Sequence, residues 1–144
     1  MYSANDIAKY VIAAFNQKRK HITNLKLQKI LYYIQVEFIK KYNKPAFADE
    51  IQAWRHGPVV PSVYYEYNQF VADPIEVDND KPNVQLSGHY KTVADRVIAK
   101  YEDTPAWTLV DYTHQEYPWK HCYFPGANNP ISVSDIIKGI QSHE

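Results

Sequence analysis

The stretch that constrains the backbone of this chain most strongly is residues 53–64, AWRHGPVVPSVY. Gly57 permits a positive φ angle, Pro58 fixes its own φ and removes an amide donor, and Pro61 suits the first turn of a helix. The sequence therefore predicts a stiff turn that leads into a helix. A tryptophan, an arginine, a histidine and tyrosines surround this turn, and such residues are typical of a recognition surface.

Two helices and a short extended segment are predicted before this turn. Ser3 suits the start of a first helix, and apolar residues recur at helical spacing over about 4–18. Thr23 can cap a second helix, which should end before Pro45. The apolar residues of the second helix form one stripe, and other faces hold Lys26, Lys29, Tyr33, Glu37 and Lys41. We expect the charges of the Glu37/Lys41 pair to form a solvated face.

Four more helices are predicted from the turn onward. Each has apolar residues at helical spacing and a proline or serine near its start. A Pro- and Asp-containing loop separates the first two of them and allows a small hairpin around 75–77 and 84–86. The predicted helices are Pro61 to about Phe70, Ser87 to Tyr101, Thr104-Pro105 up to the break at Pro118, and Ser132 to Ser142.

The length and composition fit one domain spanning residues 1–144. At 144 residues, the chain can bury a core large enough to fold alone. With 16 basic and 16 acidic residues, it has no broad attraction to nucleic acid or to an anionic membrane. The predicted class is mainly α: a compact single-domain bundle of five to six helices, with short extended segments or a small hairpin.

The cysteine content and the apolar runs indicate a cytoplasmic location. Cys122 is the single cysteine, so no disulfide can form within the chain. The start of the chain lacks the pattern of a secretory signal, and no apolar run has the roughly 18 to 20 residues that a membrane span needs. We therefore expect no membrane association.

The soft metal ligands do not have the spacing of a metal site. His114, His121 and Cys122 are the only concentration of such residues, and they match neither short Cys pairs nor a His pair on one helix face. We expect His114 to donate a structural hydrogen bond and Cys122 to behave as an inert small hydrophobe. No metal or other cofactor is predicted.

Nothing in the sequence predicts catalysis. The four glycines are isolated, so no phosphate-binding loop is present. The acidic pairs Asp49-Glu50 and Asp78/Asp80 fall in predicted loops, where carboxylates commonly solvate and terminate structure. We therefore expect a protein that is not an enzyme.

A local basic corner remains as a nucleic-acid alternative. Six basic or histidine residues lie near the junction of the first two predicted helices, although no helix-turn-helix or RNA-binding signature accompanies them. The corner consists of Lys18, Arg19, Lys20, His21, Lys26 and Lys29.

Three segments together resemble the Panacea domain, the SocA-like antitoxin family that also includes phage-associated proteins. They are TNLKLQKILYY at 23–33, the turn at 53–64, and Thr113-His114 followed by Pro118-Trp119. Their order and spacing make the combination specific, and the resemblance covers nearly the whole chain. The family pattern falls on Lys26, Leu27, Lys29, Leu31, Tyr32, Tyr33, Trp54, Gly57, Pro58, Val59, Tyr64, Thr113, His114, Pro118 and Trp119.

This resemblance implies a mainly helical bacterial or phage domain that neutralises a cognate toxin by binding it. It also implies a second role, in which an antitoxin presents its toxin to a protease as an adaptor. From the resemblance and the residue types that dominate interfaces, we predict one set of partner-binding residues. The set is Lys26, Tyr33, Trp54, Arg55, His56, Tyr64 and His114.

Two alternatives to an antitoxin stay open from the sequence. One is a prophage-associated protein that binds a small ligand, in a pocket lined by Tyr32, Trp54, His56 and His114. The other is a nucleic-acid-binding regulator that uses the basic corner.

Overall fold

The computed structural model describes residues 1–70, 72–76 and 84–142. Within these residues the fold is mainly helical, as predicted, but seven α-helices form where five to six were expected. The helices are α1 (Ala4–Gln17), α2 (Asn24–Tyr42), α3 (Pro61–Tyr67, followed by a 3₁₀ turn Asn68–Phe70), α4 (Gly88–Tyr101), α5 (Ala106–His114), α6 (Tyr117–Cys122) and α7 (Val133–Gln141), and the strands are β1 (Ile51–Trp54), β2 (Gly57–Val59) and β3 (Pro130–Ile131).

Helix α2 is the centre of the domain. It packs against α1, α3, α4, α5, α7 and β2, so most of its circumference is covered. Lys26, Lys29 and Tyr33, which were expected off the apolar stripe, are all buried, whereas Lys41 of the predicted solvated pair is exposed. Large charged residues are rarely buried without a partner. Each of these three side chains is therefore expected to have a hydrogen-bond partner inside the domain.

The three strands form a small antiparallel sheet in the order β2-β1-β3. β1 and β2 make a hairpin in which Trp54 pairs with Gly57, and Arg55 and His56 form the connection. Gly57 has a φ angle of 106°, the positive value that its residue type permits. The stiff turn predicted at 53–64 is therefore a β-hairpin followed directly by α3.

The small hairpin predicted around 75–77 and 84–86 does not form in the described residues. Residues 75–76 and 84–86 belong to no strand. Position 77 and the predicted acidic pair Asp78/Asp80 lie outside the described residues. The hairpin of this fold is instead the one at the constrained turn.

The predicted helix ends are confirmed at several capping residues. Ser3 Oγ accepts a hydrogen bond from the Asp6 backbone at the start of α1. Thr23 does the same for α2, and Ser132 forms a capping box with Asp135 at α7. None of the described helices is both long and apolar enough to span a bilayer.

Thr104 was predicted to cap α5 and Pro118 to end it, and both predictions are wrong. α5 begins at Ala106 with Pro105 in the N-cap position, so Thr104 does not cap it. Pro118 does not end α5 but lies in the first turn of α6, where a proline's missing N–H costs nothing. It also packs closely on α7, since a Cβ atom added to Gly139 would lie 2.8 Å from its Cδ.

Candidate partner-binding face at the hairpin

Side chains from α5 and α6 contact the backbone of the β1–β2 hairpin. Trp119 Nε1 donates to the carbonyl oxygen of Trp54 at 2.7 Å. His114 Nε2 lies 3.0 Å from the carbonyl oxygen of Arg55, and its ring stacks on Trp119 with 4.0 Å between the ring centroids. The backbone of the hairpin turn is thus fixed by two hydrogen bonds, which leave the side chains of Arg55 and His56 exposed.

Aromatic rings surround this turn on the outer surface. Trp54 contacts Tyr64 edge-on at 4.9 Å between centroids, and Tyr64 contacts Tyr65 at 5.4 Å. On the other side, His56 meets the ring of Trp107 edge-on at 4.9 Å. Tyr65 and Trp107 remain 62% and 58% exposed. We call this surface the aromatic face and define it as Trp54, Arg55, His56, Tyr64, Tyr65 and Trp107.

A cavity of about 310 Å³ opens beside the aromatic face, between α2, the hairpin and α3. Trp54, Arg55, His56 and Tyr64 line it from the face, and Lys29 lines it from α2. Lys29 is fully buried, and its Nζ donates to the carbonyl oxygen of Pro58 at 2.9 Å. The lining contains two side chains with formal positive charge, Lys29 and Arg55, and no carboxylate. Of these two, Lys29 is fully buried with its amine bonded to Pro58, so Arg55 is the exposed cation of the lining.

Burial lowers the pKa of Lys29 to about 7, because the charged form loses its hydration. The same electrostatic environment lowers the pKa of His56, first through desolvation and then through the positive charges of Arg55 and Lys29. Gly57 lies directly over the amine, since an added Cβ would be 2.8 Å from Lys29 Cε and 2.7 Å from Thr113 Oγ1. Glycine is thus required here both for its φ angle and for space.

Five of the seven residues predicted to bind a partner lie together at this hairpin. Trp54, Arg55, His56 and Tyr64 belong to the aromatic face, and His114 supports the turn from behind. The sequence reasoning missed Tyr65 and Trp107. Tyr65 follows a predicted residue directly, but no local signal links Trp107 to the hairpin, because α5 reaches it only through the tertiary fold.

Lys26 and Tyr33 lie elsewhere, in buried contacts within the domain. Lys26 Nζ donates to the carbonyl oxygen of Glu102 at 2.8 Å, and desolvation lowers its pKa. Tyr33 donates its hydroxyl to Glu116 Oε2 at 2.8 Å, and burial raises its pKa. Because neither side chain is accessible, we leave both out of the candidate binding face.

The four residues of the predicted small-ligand pocket do not line one cavity. Trp54 and His56 line the cavity above Lys29, but Tyr32 and His114 do not. Tyr32 is buried about one turn further along α2, where its hydroxyl points to Glu116 Oε1 at 3.4 Å. The cavity that exists is thus a different one, with Lys29 in place of Tyr32.

The predicted basic corner is largely neutralised by acidic residues at the end of α4. Lys18 pairs with Glu102 at 2.7 Å, and Lys20 lies within ion-pair distance of Glu102 and Asp103. Lys26 and Lys29 are buried. Of the six residues proposed for this corner, Arg19 and His21 are exposed, and neither forms an ion pair within the described residues. A continuous basic surface is therefore absent from this part of the described chain.

The Cys122 thiol is hydrogen-bonded to a carboxylate and is not activated as a nucleophile. Its Sγ donates to Asp135 Oδ2 at 3.2 Å, and burial together with this carboxylate raises its pKa to about 12. The thiolate that a nucleophile requires is thus disfavoured. His121 Nε2 lies 4.0 Å from Asp135 Oδ1. In the described ranges, no group of three or more His, Cys, Asp or Glu side chains is arranged to hold a metal ion.

Comparison with known proteins gives one family match. The family model described as "Antitoxin SocA-like, Panacea domain" matches residues 27–120. No curated protein and no solved structure matches the chain. The matched range holds the whole aromatic face, Lys29 and the supporting residues His114 and Trp119, whereas α1 and α7 lie outside it.

Proposed function

The chain belongs to the antitoxin SocA-like, Panacea-domain family, and we propose that it neutralises a toxin protein by binding it directly through the aromatic face. One observation supports this choice of surface above the others: two large rings, Tyr65 beside Trp54 and Trp107 beside His56, are exposed together with Arg55 of the turn. Trp, Tyr and Arg are the residue types that dominate binding energy at protein interfaces.

The rigidity of the hairpin supports the same choice. Pro58 restricts the backbone, while Trp119 and His114 hydrogen-bond the carbonyl groups of Trp54 and Arg55. A surface that is already ordered loses little conformational entropy when it binds. The aromatic face can therefore convert more of its contact energy into affinity than a flexible loop can.

In this proposal the protein carries out no chemical step. The inert state of Cys122 and the use of His114 as a support for the turn both agree with a binding role. An adaptor role, in which the antitoxin delivers its toxin to a protease, is compatible with the same binding mode. That role predicts that the toxin's half-life in cells shortens when this protein is present.

The small-ligand alternative rests on the cavity above Lys29. Its volume of about 310 Å³ is at the lower end of ligand sites. A small-ligand site would not need the exposed rings of Tyr65 and Trp107, which lie outside the cavity lining. We therefore rank toxin binding first.

The test is to express the neighbouring reading frame alone and together with this protein. We expect growth arrest from the neighbour alone, rescue by co-expression, and purification of the two proteins as a complex. The variant Tyr65→Ala/Trp107→Ala should abolish rescue, because each lost ring costs about 2 kcal/mol of binding, or roughly 30-fold in affinity.

A matched control is Tyr112→Ala, which removes another exposed tyrosine, on α5 but outside the aromatic face. This variant should rescue growth as the unchanged protein does. If the double variant still rescues and still co-purifies, the aromatic face is not the binding surface. A harmless neighbour that does not bind would contradict the antitoxin function itself.

A further inference from the structure

We propose that the partner also binds a second surface of the hairpin, where an aspartate or glutamate side chain pairs with Arg55 and an adjacent apolar side chain enters a cavity at residues 123–128. This inference rests on the proposed function and adds to it a second contact surface and the chemistry of the partner segment. Three features support it: the cavity and its exposed ring, the order of the cavity wall, and the charge of the turn.

A cavity of about 490 Å³ lies between the hairpin and the loop that follows α6. We call it the loop cavity, lined by Ala53, Trp54 and Arg55 of the hairpin and by Tyr123, Phe124, Pro125, Gly126 and Asn128 of the loop. Phe124 is 66% exposed, which is more than Tyr65 or Trp107 of the aromatic face. An apolar side chain placed in the loop cavity would cover this exposed ring, and burial of apolar surface favours binding.

The loop that forms the outer wall is ordered by contacts at both of its ends. The ring of Tyr123 stacks on Trp119 with 4.5 Å between the ring centroids. At the other end, the side-chain amide of Asn129 donates to the carbonyl oxygen of Cys122, and its own carbonyl oxygen accepts from the Ala53 backbone. The loop is thus bonded to both α6 and β1, so the cavity needs little ordering when a partner binds.

The loop cavity is continuous with the aromatic face. Trp54 and Arg55 line both the loop cavity and the cavity above Lys29. A partner segment that lies on the aromatic face and crosses the turn therefore reaches Phe124 on the far side of Arg55. The family match ends at residue 120, so this loop surface adds contacts from beyond the matched range.

The charge of the turn indicates an acidic partner residue. Arg55 is exposed and forms no ion pair within the described residues. No aspartate or glutamate lines either cavity, and Lys29 is buried, which leaves Arg55 as the accessible charge. A guanidinium group is planar and can hold a carboxylate through two parallel hydrogen bonds. An Asp or Glu with an apolar neighbour therefore complements both the arginine and the cavity beside it.

The experiment uses three blocked tripeptides as probes. Ac-Phe-Glu-Phe-NH₂ has an apolar ring on each side of the acid, so either chain direction brings a ring to the loop cavity. Ac-Phe-Gln-Phe-NH₂ removes the charge, and Ac-Ala-Glu-Ala-NH₂ removes the rings. Binding is followed by NMR through the backbone amide resonance of Gly126 in the loop, with Gly139 on α7, which packs against Pro118, as the internal reference.

We expect the first peptide to bind at least about threefold more tightly than the Gln peptide at low salt, as an exposed ion pair allows. This preference should disappear at about 1 M NaCl, where charges are screened beyond about 3 Å. The first peptide should bind at least about tenfold more tightly than the Ala peptide at either salt concentration, because burial of the rings does not depend on charge.

Two substitutions connect these results to the surface. Arg55→Gln should remove the preference for Glu over Gln. Phe124→Ala should weaken binding of the first peptide by at least about fivefold, since the ring it would cover is gone. Arg96→Gln on α4 and Tyr112→Ala on α5, both at exposed positions that line neither cavity, are the matched controls and should change neither result. Circular dichroism checks that each variant is folded.

Equal binding of the Glu and Gln peptides at low salt, no binding at millimolar concentration, or binding without a shift at Gly126 would overturn the proposal. An unchanged result with folded Arg55→Gln or Phe124→Ala would overturn it as well.

The same variants separate this inference from the antitoxin function when they are tested with the product of the neighbouring reading frame. Arg55→Gln and Phe124→Ala should each weaken its binding by at least about fivefold. If both variants bind the toxin normally while Tyr65→Ala/Trp107→Ala does not, the inference fails and the antitoxin function stands. A harmless neighbour contradicts the antitoxin function, and the peptide comparison then decides whether the turn recognises an acidic segment.

Discussion

Two regions along α2 contain the same kinds of side chain and use them in opposite ways. At the hairpin, Lys29 has a single hydrogen bond and the surrounding rings are exposed. One turn further along α2, Tyr32 and Tyr33 are buried and share the carboxylate of Glu116, with Tyr101 stacked on Tyr33 at 4.8 Å. We call the first region the hairpin site, defined as Lys29, Gly57 and the aromatic face. We call the second region the tyrosine cluster, defined as Tyr32, Tyr33, Tyr101 and Glu116.

The difference lies in whether the polar groups are satisfied inside the domain. In the tyrosine cluster the hydroxyl groups of Tyr32 and Tyr33 are hydrogen-bonded to a carboxylate, so they contribute to the free energy of folding. At the hairpin, Tyr65 and Trp107 leave large rings exposed, which are available to a partner. Residue type alone does not separate these roles, since each region is rich in aromatic residues with a polar tip.

The largest effect that would test this comparison comes from Gly57→Ala. The substitution forces a positive φ on alanine and places a Cβ 2.7–2.8 Å from Thr113 Oγ1 and Lys29 Cε. Strain and overpacking together should lower the free energy of unfolding by about 4 kcal/mol, measured by urea denaturation. The hairpin site then depends on this single glycine for its shape.

Gly126→Ala is the matched control for Gly57→Ala. Gly126 also has a positive φ, 80°, but no atom lies within 4 Å of the position of an added Cβ. Its cost should therefore be only the backbone strain, about 1–2 kcal/mol. Equal destabilisation by the two substitutions would mean that the close packing over Lys29 is unimportant.

The second effect is the pH dependence of stability that Lys29 causes. Its pKa is near 7 in the folded protein and 10.5 ordinarily, so between these values the unfolded chain binds more protons and stability rises with pH. From pH 7 to pH 9 this contribution should increase the free energy of unfolding by about 2 kcal/mol. Urea denaturation of the unchanged protein and of Lys29→Met at both pH values isolates it, because the other titrating groups are common to both.

Lys29→Met should also be at least as stable as the unchanged protein at pH 7, since it removes a buried cation with one hydrogen bond. A parallel pH dependence in the two proteins, or a large loss of stability in the variant, would show that the amine is satisfied in the folded domain. The contrast between the hairpin site and the tyrosine cluster would then be lost.

The sequence predicted the helix starts better than the surroundings of α2. Caps such as Ser3 and Thr23 are local, because the side chain and the backbone it bonds are three residues apart. α6 was missed because Pro118 has the same local effect whether it ends one helix or opens the next. Helical periodicity also placed Lys29 off the apolar stripe without revealing its burial, which arises because other elements cover α2 on several sides.

In the candidate site, too, the sequence revealed the residues that are close in the chain and missed those that are brought together by packing. Trp54, Arg55, His56 and Tyr64 lie within twelve residues of one turn, so the sequence was able to group them. Trp107 and the amine of Lys29 join them only when α5 and α2 pack under the hairpin. Tyr33 was grouped with the site on residue type, and the packing of α2 against α4 and α5 places it in the core instead.

The smallest expected changes in stability come from removing one tyrosine hydroxyl group in each region. Tyr33→Phe removes the hydrogen bond to Glu116 Oε2 in a buried setting, so it should lower the free energy of unfolding by about 1.5 kcal/mol. The affinity for the toxin should not change, because Tyr33 is inaccessible. Tyr65→Phe removes the same hydroxyl from an exposed ring and should change stability by less than about 0.5 kcal/mol. Urea denaturation and co-purification with the toxin measure both quantities; weaker toxin binding by Tyr33→Phe would mean that the tyrosine cluster also belongs to the binding site.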